Sequence, residues 1–228
     1  MSNDHGVCGL TQDLSESLRL ETRALHLQAE RSAFMAVLLR GQMQRTPYCA
    51  MLRNLHAIYA TLEPALQRQA THPQLAPLLL PRLWREPALR EDLDLLHGLD
   101  WQGALAVQPA TLRYVARLEQ LEREQPLLLA AHSYVRYLGD LSGGQMLSRI
   151  VRDSLQLGPD GGTAFYDFGD AAATADLKQA YREALAALPV DAAAQRALVA
   201  EARLAFELHR QLFDELAEGL PPAAAVSR

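Results

Sequence analysis

The chain has 228 residues, 49% of them hydrophobic and 6% aromatic, with a formal net charge of −5. That length supports one domain with a full core and is short for two. An acidic balance without a basic block excludes nucleic acid as the main partner, and two cysteines, Cys8 and Cys49, exclude a disulfide framework or a cysteine zinc site. Cysteine usage of this kind fits a reducing cytosol. The opening MSNDHGVCGL lacks the basic and apolar regions of a signal peptide. No apolar run reaches the ~18 residues that a membrane-spanning helix needs. Residues 1–10 and the tail PPAAAVSR, 221–228, are expected to be flexible, leaving 11–220 as the domain of a soluble, cytoplasmic protein.

A first helix is expected to start near Thr11 or Asp13, with Leu14, Leu18, Leu25 and Ala29 as its buried stripe. Beside that stripe run Arg19, Arg23, His26 and Glu30, at spacings that place all four within an arc of roughly 60°. Such a line commonly forms a solvated face of paired charges. The sharper alternative is a groove in which His26 coordinates a metal and the arginines hold anionic groups of the same ligand. Gly41 ends a short second helix. Thr46-Pro47 opens a third, with Thr as cap and Pro at the first helical position. Leu52, Leu55, Ile58, Tyr59 and Leu62 form its apolar face, and a buried Tyr59 hydroxyl needs a partner. His56 is read as a surface or satisfied histidine.

Residues 71–110 are punctuated by Pro73, Pro77, Pro81, Pro87 and Pro109, which predicts short helices and turns, with LREDLDLLHG as the clearest helical piece. Asp94 and His97 have the spacing of a metal pair, but one such pair alone is read as surface. Pro109 opens a helix through Glu124, and Pro126 starts the next. A loop at 158–162 precedes the aromatic patch Phe165-Tyr166-Asp167-Phe168. Thr174 is placed as the cap of a helix through Leu188, on which Lys178 and Arg182 stand four apart. Asp191 caps the last helix, where Leu198, Leu204, Ala205, Leu208, Leu212 and Phe213 supply core. No β pattern emerges. The expected architecture is an all-α, single-domain bundle of roughly eight helices.

One stretch stands out, Tyr134–Ile150, YVRYLGDLSGGQMLSRI. It is patterned as helix, yet carries Gly139, Gly143 and Gly144, each costing ~1 kcal/mol relative to Ala in a helix interior. Gly139 and Gly143 share a face. A face without side chains admits a second helix or a flat ligand, and Gly143-Gly144 also permits a kink. Asp140 lies inside this bare patch, either solvated or held in a polar network.

The segment YVRYLGDLSGGQ closely resembles the heme oxygenase signature. The resemblance extends to LRLETRALHLQAE, GTAFYDF, LKQAYREAL and RLAFELHRQLFDEL, roughly residues 11–218 in order. It implies a heme seated between the N-terminal helix and a kinked, glycine-rich distal helix. His26 would be the proximal iron ligand, oriented by Glu30. Gly139, Gly143 and Gly144 would lie over the porphyrin, with Phe206 also at the heme. Arg19, Arg23, Lys178, Arg182 and Tyr134 would face the propionates. Asp140, supported by Arg136 and Tyr59, would order water that delivers a proton to bound dioxygen. The implied reaction cleaves heme b, both substrate and cofactor, to biliverdin, CO and ferrous iron with α selectivity. Its partners would be O₂, an external electron donor and a bilin-accepting protein. No flavin or nicotinamide fingerprint is present. The sequence departs from the family pattern at His209, where Asn is expected. It also lacks the hydrophobic tail of membrane-anchored members, which points to a soluble, bacterial-type form.

A heme carrier or sensor without turnover would share His26 and the basic pairs, but has no need of a distal carboxylate such as Asp140. A thiaminase-like hydrolase would need a cysteine nucleophile, and no partner pattern surrounds Cys49. A di-iron carboxylate bundle would need Glu-x-x-His pairs, and the chain has none.

Overall fold

The computed structural model describes residues 13–158 and 161–221. The expected flexible N-terminus, Thr11, Pro159-Asp160 and all but the first residue of the 221–228 tail lie outside that range. Among the described residues the chain forms nine α-helices, several short 3₁₀ turns and no strand. The helices are α1 (Leu14–Glu30), α2 (Ala33–Leu39), α3 (Arg45–Arg68), α4 (Glu86–Leu96), α5 (Trp101–Ala104), α6 (Pro109–Glu124), α7 (Leu129–Leu155), α8 (Ala171–Ala186) and α9 (Ala192–Glu218). The count exceeds the expected eight because the proline-punctuated stretch forms both α4 and the single turn α5.

Local chemistry sets most helix starts. The Asp13 carboxylate accepts the Glu16 N–H at 2.8 Å, and Asp191 does the same for Ala194 at 2.8 Å. Two caps fall elsewhere than expected. α3 begins after Gln44, so Thr46 is already helical and Pro47 sits in the first turn. α8 begins after Asp170, whose carboxylate accepts the Ala173 N–H at 2.8 Å, and Thr174 lies a turn inside the helix. Asp supplied the acceptor first. Gly41, just past α2, takes φ +67°, the left-handed turn that favours glycine after a helix.

The long helices α1, α3, α7 and α9 build the core, α1 packing along α9 and α7 crossing both α9 and α3. Leu18, Phe34, Leu52, Ile58, Tyr59 and Leu62 are essentially inaccessible. Burying a side chain of this size contributes about 1.5–3 kcal/mol each.

α7 runs as one helix from Leu129 to Leu155 through all three glycines. Gly144 is explained by packing. A Cβ there would stand 3.2 Å from the Tyr166 carbonyl oxygen, so the bare backbone seats the 3₁₀ turn Ala164–Tyr166. Asp92 fixes the other side of that turn by accepting the Ala164 and Phe165 N–H groups, both at 2.8 Å. Glu63 ties three helices together. It accepts the Arg85 N–H at 2.5 Å and the Glu86 N–H at 3.1 Å at the start of α4, and the Tyr137 hydroxyl from α7 at 3.2 Å.

Candidate active site

Two adjoining hollows of about 330 and about 250 Å³ lie between α1, α7 and α9. They share His26, Val135, Gly139, Ser142 and Phe206, and so form one cleft with an outer mouth and an inner end. Arg19, Thr22, Arg23, Tyr134 and Arg182 line the mouth. The inner end is mainly apolar, with Met35, Leu55 and Phe213 among its walls, but it also reaches Arg136, Asp140 and His209.

His26 projects from α1 at half exposure, with Nδ1 3.6 Å from a Glu30 carboxylate oxygen one turn on. Its ring meets Phe206 of α9 edge to face, centroids 6.1 Å apart. Two neighbours therefore set the imidazole, and Nε2 is the nitrogen left for a ligand. Across the cleft stands the bare face of α7. A Cβ on Gly139 would meet nothing within 4 Å, and one on Gly143 only the Leu147 side chain at 3.5 Å. At these two positions the missing side chains keep space open, whereas at Gly144 they admit a neighbouring backbone.

Behind Gly139 lies a buried charged cluster. Arg136 donates to Asp140 Oδ1 at 2.7 Å, to the Tyr59 hydroxyl oxygen at 3.2 Å and to His209 Nε2 at 2.6 Å. Tyr59 in turn donates its O–H to the other Asp140 oxygen. Burial pushes the Asp140 carboxyl up, opposed by the Arg136 cation and the Tyr59 hydroxyl. Burial also drives the Tyr59 phenol well above its ordinary range, so Tyr59 stays a donor. The sequence asked for a Tyr59 partner, and Asp140 is that partner. Asp140 is held in a polar network rather than solvated.

Several expected site residues sit elsewhere. Gly144 does not line the cleft; it faces Tyr166. Lys178 does not line it either, although Arg182 one turn on does, because four residues advance about 6 Å along a helix. Lys178 is half-buried, and desolvation with the nearby Arg182 lowers its pKa. Tyr59 lies behind Asp140, out of the cleft wall. Arg19 lines the mouth but is engaged by Glu16 through two contacts of 2.9 and 2.7 Å. His56 is buried, with Nε2 2.9 Å from Glu86, and Asp94 accepts the Trp101 indole N–H at 2.8 Å. Among the described residues no cluster of three His, Cys, Asp or Glu could hold a metal ion. Sequence reasoning passed over Thr22 and Ser142. Thr22 stands four residues before His26 and Ser142 three after Gly139, and those spacings were the available signal.

An all-α protein emerges with a cleft for a flat, largely apolar ligand. One imidazole faces a bare helix backbone, cations line the rim, and a fixed carboxylate lies within. The heme oxygenase family model matches residues 12–215. The human protein named heme oxygenase 1 is 41% identical over 211 residues, covering 92% of this chain and 73% of its own. Heme oxygenase-1 from the cyanobacterium Synechocystis, solved in complex with heme, superposes with TM-score 0.86 at 36% identity, covering 91% of this chain and 94% of its own. Heme oxygenase-2 from the same organism, solved with heme and NO, gives TM-score 0.87 at 38% identity, covering 90% and 85%.

The chain belongs to the heme oxygenase family. It is an enzyme of the class that oxidatively cleaves heme to biliverdin.

Proposed function

We propose that the cleft holds heme b edge-in, with His26 Nε2 on the iron, and that Asp140 governs the protonation that commits heme to ring opening. The carrying observation is the pairing across one cleft of an available imidazole nitrogen and a bare backbone patch backed by a buried carboxylate. The open space at Gly139 and the apolar inner walls fit a porphyrin face, and Arg23 and Arg182 at the mouth fit its propionates. Bound heme supplies both the iron at which O₂ reacts and the porphyrin edge that is cleaved.

The chain's own part is positional. Glu30 and Phe206 orient His26. Exposed cations at the mouth are worth about 0–1 kcal/mol each, so they orient the ring more than they hold it. That orientation favours the α edge. Asp140 has one oxygen engaged by Arg136 and the other by Tyr59, which fixes the carboxylate beside the reacting face. Its remaining lone pairs hold water at the inner end, from which a proton is delivered. Electrons come from a separate donor protein. CO and ferrous iron leave with biliverdin. Among the described residues no helix is long and apolar enough to cross a membrane.

Adding hemin, then ascorbate in air with catalase, tests this reading. A sharp Soret band forms, then decays as a broad red bilin absorbance grows, and chromatography shows mainly the α isomer. Asp140→Ala keeps the Soret band and loses the bilin. Bilin yield equal to wild type in that variant refutes the role of Asp140. A Soret band that persists in the wild type marks a carrier instead.

A further inference from the structure

The network behind Gly139 contains one member whose chemistry is unassigned. His209 comes from α9 and is 4% exposed. Two aromatic rings clamp its imidazole edge to face, Tyr114 with centroids 5.9 Å away at 88° and Phe213 at 5.1 Å and 89°. Its plane is therefore fixed, and Nε2 points at Arg136 Nη1, 2.6 Å away.

A guanidinium has donors only. An N–H on Nε2 would set donor against donor, so Nε2 must be bare and the ring proton must sit on Nδ1. A doubly protonated ring would place two cations in contact. The surroundings oppose that form: burial, Arg136 and His132 push the His209 pKa well below its ordinary value. The charged and titratable groups nearby are Arg136, His132 and Asp140 of α7, Tyr114 of α6 and Tyr59 of α3.

We propose that His209 is a positioning residue for the cleavage reaction: an imidazole whose bare Nε2 holds the Arg136 guanidinium, and through it the Asp140 carboxylate, in the geometry that delivers the proton. Arg136 has three acceptors in three directions, Tyr59, His209 and Asp140. Removing the one on α9 leaves a buried cationic N–H without a partner, and the guanidinium turns away from Asp140 to find one. An amide oxygen could replace the imidazole nitrogen; a hydrocarbon could not. His209 Nδ1 is buried without a hydrogen-bond partner among the described residues, so Arg136 is the polar contact there that sets the ring.

The inference rests on the oxygenase reading above, and two measurements separate them. The first uses hemin-free protein labelled with ¹⁵N-histidine at neutral pH. NMR should show His209 neutral, with its proton on Nδ1 and Nε2 accepting. An imidazolium, or a proton on Nε2, overturns the proposal whatever the protein does with heme. The second compares variants in hemin binding and ascorbate-driven bilin formation. His209→Asn should turn over within about threefold of wild type, and His209→Leu about tenfold slower, both binding hemin within about twofold of wild type. Equal turnover in His209→Leu and wild type overturns the proposal, as does a His209→Asn variant as slow as His209→Leu. Wild-type protein that binds hemin and yields no bilin refutes the oxygenase reading and leaves the tautomer result standing. The NMR measurement needs no variant, so a misfolded His209→Leu protein still leaves the proposal open to refutation.

Discussion

Arg23 at the mouth of the cleft and Arg136 at its inner end border the same hollow, yet they are held on opposite terms. Arg23 is exposed and has no hydrogen-bond or ion-pair partner among the described residues, so its long side chain is free to follow a ligand's acidic edge. Arg136 is 8% exposed, and acceptors from α3, α7 and α9 fill its three donor directions. Water screens the first charge, and the second has lost nearly all contact with water. An exposed cation can attract and orient a ligand but cannot hold an atom still. A buried cation locked by three acceptors does hold one, and the atoms it holds are those of Asp140.

Removing the inner charge has the largest expected effect. Arg136→Met leaves the Asp140 carboxylate buried without its cation, which should destabilise the fold by about 3–5 kcal/mol in urea unfolding. A loss below about 1 kcal/mol would mean that Asp140 simply takes up a proton, and that the interior charge is held no more tightly than the one at the mouth.

The two ends of the glycine run sharpen the same contrast at a smaller scale. Gly139→Ala places a methyl in open space. It should gain up to ~1 kcal/mol of helix stability while weakening hemin binding. Gly144→Ala presses a methyl on the Tyr166 carbonyl, so that gain is cancelled and its Tm should lie below that of Gly139→Ala. Equal melting temperatures with unchanged hemin affinity would assign both glycines the same role.

The smallest effect is expected at the mouth. Arg23→Gln should leave stability within ~0.5 kcal/mol. Its hemin affinity should fall slightly at low salt and match wild type at high salt. A salt-independent loss would show that Arg23 is held more rigidly than its exposure implies.

The same division governs what could be read from the chain before its fold was known. Asp13, Asp191 and Pro109 announce helix starts because capping is decided within three or four residues. The line from Arg19 to Glu30 and the bare pair Gly139 and Gly143 were legible because helical spacing alone puts them on one face. Gly144 was misplaced among the ligand contacts because its reason is Tyr166, which reaches it only through the turn fixed by Asp92 of another helix. Lys178 and Arg182 share a face by spacing, but how far along α8 the cleft extends depends on how α8 packs, and only Arg182 reaches it. Thr174 resembled a cap, but Asp170 takes that position, and Thr46 lies inside a helix that starts at Arg45 without a side-chain cap. His209 stood out only as an unexpected residue; its contacts with Arg136, Tyr114 and Phe213 join three helices, and no local pattern encodes them.

Glu63, the carboxylate that fastens α3, α4 and α7, also makes the molecule a proton acceptor near neutrality. Burial raises its pKa to about 7 from an unfolded value of 4.5, although the Arg85 and Glu86 N–H groups and the Tyr137 hydroxyl all pull it down. Between those two values the folded chain carries a proton that the unfolded chain has released. The contribution of Glu63 to stability is therefore complete below about pH 4.5 and drains away as the pH climbs toward 7. The joint between α3, α4 and α7 is thus tighter in mild acid than in mild base.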